Sequence, residues 1–169
     1  MAVKKIYKIG SEMLRKKSKE VDNFENGSLK TIAKDLKDTL FDFQKRHNLG
    51  RAIAAPQIGC LKKVLYYNKN NEELLMVNPE VIEKSKEEFE VWDSCFSFDA
   101  AFFVKIKRAK KIKVKFQDIE GNLKTEEFRD DLSELFQHEI DHLYGVLATD
   151  HLEDNKNIIS REVWEEKYR

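Results

Sequence analysis

The chain has two cysteines, two prolines and six glycines, and each scarcity removes a class of protein. Two thiols, Cys60 and Cys95, cannot make a disulfide framework, so a packed core must hold the fold and a thiol stays available as a metal ligand. With so little Gly and Pro, no low-complexity stretch and no fixed-period repeat, nothing marks a linker or a second domain. No uninterrupted apolar run approaches the roughly 18 residues that span a bilayer. Residues 1–10 also lack the apolar segment of a signal peptide, which leads to the expectation of a cytoplasmic protein without membrane contact. Net charge is missing too: 31 basic residues balance 31 acidic ones, so no global field draws nucleic acid or an anionic surface. The basic cluster from Lys105 to Lys115 alternates with apolar residues and reads as a half-exposed strand rather than a nucleic-acid site.

What is present fits one domain covering residues 1–169, with 41% hydrophobic and 37% charged residues and enough length to bury a core. Leu29, Ile32, Ala33, Leu36, Leu40 and Phe43 recur at helical spacing after Gly27 and Ser28, predicting a helix from Ser28 to His47. Leu61 to Tyr67, Leu74 to Asn78 and Ile112 to Phe116 read as strands, and Asp118 to Asn122 as a turn into a strand ending near Phe128. A second helix follows, with Asp130 or Asp131 as its cap and Gly145 as its stop. A last helix is expected from Asn157 to Lys167. Helix, several strands, then helix is the order of an α+β domain with antiparallel or mixed sheets packed around that second helix.

The second helix carries His138-Glu-Ile-Asp-His142. Two imidazoles four apart on one helix face can reach one metal ion, and Glu139 beside the first is placed to handle protons of a hydrolytic water. The bland alternative is a surface helix with two solvated histidines, and a third ligand decides between them. Downstream, the position where an extended zinc-protease pattern needs a ligand is Ala148. His151 lies past Gly145, where a surface or satisfied role is expected, and nothing around Glu162 supports ligation. Upstream, Cys95 sits in Trp92-Asp-Ser-Cys-Phe-Ser97 between apolar strands, and a thiolate suits zinc or ferrous iron. A buried structural thiol is the competing reading.

Together with Gly50-Arg-Ala-Ile-Ala-Ala-Pro-Gln57, these segments resemble, in order and spacing, the three signatures of the peptide deformylase family: Gly-x-Gly-x-Ala-Ala-Pro-Gln, Glu-Gly-Cys-Leu-Ser and Gln-His-Glu-x-Asp-His. The similarity runs from about Ile6 to the final helix. It implies that Cys95, His138 and His142 bind one divalent ion, ferrous iron foremost with zinc or nickel as alternatives, with a water in the fourth position. It further implies Glu139 as general base and then general acid. The Gln57 side-chain amide and the Phe96 backbone N–H would then face the oxygen that turns negative. The implied reaction removes formyl from the N-terminal formyl-methionine of peptides and nascent chains, which brings the ribosome in as a partner.

The chain also departs from the pattern. Ala52 and Ser94 stand where the family has glycines, Arg51 replaces an aliphatic residue, and Asp93 is one methylene shorter than the family's Glu. Gly50, Arg51, Ala52, Ser94 and Glu134 are the expected substrate-binding positions. Glu134 lies one helical turn before His138 on the same face, so Arg51 and Glu134 are expected to approach the pocket, where they can pair, and to shift its preference from methionine toward a more polar residue. Asp93 and Arg108 are the expected pair behind the Cys95 loop. The rival readings are a hydrolase of another N-formyl or N-acyl compound and a non-catalytic metal protein that recognises chain N-termini. Intact Glu139 and Gln57 speak against the second.

Overall fold

A computed structural model describes residues 3–25, 27–70 and 72–168. Helix α1 (Ser28–His47) opens after Gly27 and closes at Asn48, which takes the left-handed conformation. It buries Leu29, Leu36, Leu40 and Phe43 along one stripe, as its 3.6-residue spacing demands. The chain then forms β1 (Ala52–Ala54), β2 (Val64–Lys69) and β3 (Glu72–Lys84), followed by β4 (Glu88–Asp93) and β5 (Phe102–Ala109). Strands β6 (Lys111–Gln117) and β7 (Leu123–Arg129) lead into α2 (Asp130–Leu143), and β8 (Ile158–Ser160) with α3 (Arg161–Tyr168) completes the described chain. The fold is α+β. One antiparallel sheet has the order β1-β2-β3-β6-β7 and a smaller one the order β4-β5-β8.

The larger sheet has a core on each face, which explains why Val64, Leu65, Tyr66 and Tyr67 run as unbroken apolar sequence. Ile53, Val64, Tyr66 and Val77 pack with α1. Their neighbours Ala52, Ala54, Leu65, Tyr67 and Met76 pack with Phe136, Ile140 and Leu143 of α2. Fully burying a side chain such as Phe136 or Leu143 is worth roughly 1.5–3 kcal/mol. A third cluster, with Leu14, Cys95, Phe98, Val104, Ile106 and Leu147, lies against the smaller sheet.

Helix α2 is buried more completely than an amphipathic stripe predicts: Leu135 to Ile140 are all buried, and so are His142 and Leu143. It touches β1 and β7 of one sheet and β5 of the other, so polar residues on it must find partners inside the protein.

Several expected boundaries differ. Neither Asp130 nor Asp131 caps α2; Arg129 holds the cap position without a side-chain cap bond, the Asp130 N–H donates to the Lys110 carbonyl at 2.8 Å, and the Asp131 carboxylate is engaged by Arg51 at 2.8 Å and Lys69 at 3.5 Å. The strand expected to end at Asn78 continues through it to Lys84. Asn78, with φ 51°, and Pro79 sit at a register shift, so the dipeptide makes a bulge instead of a terminus. The expected last helix begins four residues late, because Ile158–Ser160 pair with the edge of β5. The cluster from Lys105 to Lys115 is split between β5 and β6. Among the described residues, no helix is long and apolar enough to cross a membrane.

Candidate metal centre and active-site cleft

Three elements deliver the polar side chains to one place. The end of β4 supplies Asp93, and the 3₁₀ turn Phe96–Phe98 begins right after Cys95. The 3₁₀ turn Ala55–Ile58 after β1 supplies Gln57. Helix α2 supplies His138, Glu139 and His142. Pro56 near the start of the second turn suits its preset φ to that geometry.

Cys95 Sγ lies 3.3 Å from His142 Nε2, which lies 3.1 Å from His138 Nε2. All three donor atoms fall within 4.8 Å of one another, and all three residues are buried. Donors at tetrahedral corners about one ion stand roughly 3.3–3.6 Å apart, given metal–nitrogen and metal–sulfur bonds of about 2.0–2.3 Å. The set therefore fits a single thiophilic divalent ion. Burial alone would push the Cys95 thiol up, yet the positive charge of His142 and then of His138 outweighs it and brings the thiol down to about 5, favouring the thiolate that ligation needs.

Behind the donors runs a buried chain of charge. Asp93 Oδ1 is 2.8 Å from His138 Nδ1, and Asp93 Oδ2 accepts from Arg108 Nη2 at 3.1 Å. Arg108 Nη1 donates at 2.6 Å to Asp141 Oδ2, which is 2.8 Å from His151 Nε2. Burial would raise Asp93, but the charge of His138 and of Arg108 holds it down at about 2. His151 is thus a carboxylate's partner. Asp141, inside the helix motif, holds the far end of Arg108, and no spacing rule singled it out.

Glu139 is 4% exposed, and its Oε2 has no hydrogen-bond partner among the described residues. Burial lifts its carboxyl to about 7 against the lowering charge of His138 and His142, so it can exchange a proton near neutrality. The buried Gln57 amide is fixed at both ends. Its Oε1 accepts from the Ala54 N–H at 2.9 Å, and its Nε2 lies 3.4 Å from Cys95 Sγ and 3.3 Å from Ser97 Oγ.

These groups open onto a cavity of about 200 Å³. Gly50, Arg51, Ala52, Trp92, Ser94, Phe96, Phe103 and Glu134 complete its lining. Arg51 Nη1 is 2.8 Å from Asp131 Oδ2, and its Nη2 is 3.2 Å from Glu134 Oε2.

Residues 3–157 match the family model for polypeptide deformylase. The chain belongs to the polypeptide deformylase family. A peptide deformylase from Thermotoga neapolitana is 33% identical over 152 residues, covering 90% of this chain and 88% of that protein. Peptide deformylase 2 of Clostridium perfringens is 35% identical over 163 residues, covering 95% and 100%. The crystal structure of peptide deformylase from Thermotoga maritima superposes with a TM-score of 0.82 at 33% identity, covering 91% of this chain and 100% of that one. This deformylase is accordingly a metal-dependent hydrolase that removes the formyl group from peptide N-termini, and the family works with a single metal ion.

Every residue singled out in the deformylase sequence is found at or behind this cleft. Ser94 lines it, but its hydroxyl donates to the Phe102 carbonyl at 3.0 Å. Ala52 is buried and pairs with Tyr67 across the sheet. Sequence reasoning missed Ser97 beneath Gln57, Gln137, whose amide bonds both backbone groups of Ala109 at 2.9 and 3.2 Å, and Arg161 on the cleft wall. The Gln before the first histidine was a signal for the second of these; nothing local marked the others.

Proposed function

We propose that Cys95, His138 and His142 hold the single ion of this deformylase, and that Glu139 carries the proton of its reaction. The observation that supports this best is the convergence of three buried donors at a cavity that Glu139 also lines, its Oε2 without a hydrogen-bond partner among the described residues. Ferrous iron is the working ion proposed, with zinc or nickel as substitutes, since a thiolate with two imidazoles accepts all three. When bound, the ion acts as a Lewis acid toward the formyl oxygen and the attacking water.

Glu139 takes a proton from that water and returns it to the leaving amide nitrogen as formate departs. The Gln57 Nε2 and the Phe96 backbone N–H donate to the oxygen that becomes negative, the electrostatic contribution expected to dominate such chemistry. Asp93 and Arg108 orient His138 and the Cys95 loop. Formylated nascent chains at the ribosome, in the cytoplasm, are the proposed substrates, and residues 1–169 act as one domain. The direct test is formate release from a formyl-Met tripeptide by anaerobically purified, metal-analysed protein. No release by iron-loaded protein would overturn the assignment.

A second reading concerns only the substrate, and the Arg51–Glu134 contact favours it. Gly50, Arg51, Ala52, Ser94 and Glu134 form the substrate walls, and an ion pair stands where a thioether would need apolar surface. The reading is a preference shifted from methionine toward a more polar first residue, or toward another N-formyl or N-acyl compound. Formyl peptides varied only at the first residue test it, and an undiminished preference for methionine would sink it.

A further inference from the structure

Arg161 is the first residue of α3 and lies beyond the segment 3–157 that the family model matches, yet it lines the same cleft as His138 and Glu139. Its guanidinium is held from several sides. Nε donates to the Ala100 carbonyl, Nη2 is 3.4 Å from Ser94 Oγ, and the group lies over the Phe103 ring at 4.6 Å. Phe103 is itself stacked on Trp164 of α3 at 4.4 Å. Stacking on a buried aromatic fixes the plane of the fork before anything binds, which lowers the entropy lost on binding.

The charge around Arg161 is not balanced as it is around Arg51. Arg51 has two carboxylates at 2.8 and 3.2 Å, whereas Arg161 Nη1 has Glu165 at 3.5 Å, longer than a normal hydrogen bond. A contact that long is worth little. A guanidinium carries five N–H donors, and the contacts to Nη1 and Nη2 are long ones, so both nitrogens keep capacity for a planar acceptor.

We propose that Arg161 is a substrate-binding residue that recognises a carboxylate carried by the formyl peptide beyond its first residue. This rests on the reading of the cleft as the peptide site. The position follows from the contacts: Arg51 is paired with Asp131 and Glu134, while Arg161 is held by Ser94, Ala100 and Phe103, so the two arginines line different parts of one cleft. Bidentate pairing with the fork suits a carboxylate better than a single carbonyl. The carboxylate comes from an acidic side chain or, in a short peptide, from the chain terminus.

The test compares three substrates: formyl-Met-Ala-Ser amide, the same tripeptide as the free acid, and formyl-Met-Ala-Glu amide. Wild-type protein is expected to favour one or both carboxylate peptides over the neutral amide by about tenfold in kcat/KM, carried by KM, and which one identifies the source. Arg161→Gln should bring that ratio to about one, and Arg161→Lys, which keeps the charge but loses the fork, should keep only part of it. A wild-type ratio of one, or a ratio that survives in Arg161→Gln, overturns the proposal. If Arg161→Gln fails to fold, the lysine variant decides, and an unchanged ratio there overturns it. Turnover of the neutral amide by wild type separately supports the deformylase reading, and its absence on all three peptides overturns that reading and this one together.

Discussion

Asp93 Oδ1 sits 2.8 Å from His138 Nδ1, which leaves Nε2 of the same ring as the atom turned to Cys95 and His142. A carboxylate on the far nitrogen fixes the ring's tautomer and raises its basicity as a ligand. Asp93→Asn is therefore expected to weaken metal binding roughly 10–100-fold, measured by competition with a chromogenic chelator. Unchanged affinity would show that the contact does not orient the ligand.

Arg108 joins Asp93 to Asp141 with its side chain almost fully buried. Arg108→Leu removes the buried charge that both carboxylates share and leaves Asp93 with His138 and Asp141 with His151. The expected loss is about 3–5 kcal/mol of stability, read from urea unfolding. A loss below about 1 kcal/mol would mean that water enters and solvates the pair.

Glu139→Gln keeps the shape of the side chain and removes its proton chemistry. The expected result is a fall in kcat of roughly 10²–10⁴-fold with metal content intact. Full turnover by the metal-loaded variant would remove Glu139 from the mechanism.

Burial, then the nearby Asp93, lifts Glu134 to about 7, against the lowering charges of His138 and Arg51. A carboxyl whose folded pKa exceeds its unfolded value binds more protons folded than unfolded between the two. Its contribution to stability is therefore complete below about 4.5 and declines as pH rises toward 7. Glu134→Gln lacks that decline. In metal-free protein the stability of the variant relative to wild type should rise from pH 4.5 to pH 7 and level off above, as measured by thermal unfolding across pH. A flat difference contradicts the assignment.

Gly50 has φ +100°, and a Cβ there would come within 2.2 Å of the Phe96 ring, whose centroid is itself 4.1 Å from that of Phe43 at a 32° tilt. Gly50→Ala should cost about 2 kcal/mol or more and raise KM by displacing Phe96 at the cleft wall. Unaltered stability and KM would show that the ring yields freely.

The helix of the metal residues was legible because its chemistry is local: a four-residue spacing fixes two imidazoles on one face whatever surrounds them. Helix α1 was legible for the same reason, since its apolar stripe repeats over 20 residues. Strand β4 was not assigned because its alternation, Glu88 to Asp93, is short and charged, and only its pairing with β5 defines it. The end of the chain was misread because Ile158 and Ile159 extend only when an open strand edge is there to receive them.

The sequence by itself determined that His138 and His142 share one helix face beside Glu139, and the order of the three segments, since these depend on residue identity and on short spacings along one element; Cys95 joined them only through the family resemblance. Tertiary structure decided which charges meet: Asp93 with both His138 and Arg108, Arg51 with Asp131 and Glu134, and Arg161 with the cleft at all. Those partners come from segments up to 83 residues apart. Such pairs form because two sheets and a helix bury them together and a buried charge must find a partner, a requirement that no local pattern encodes.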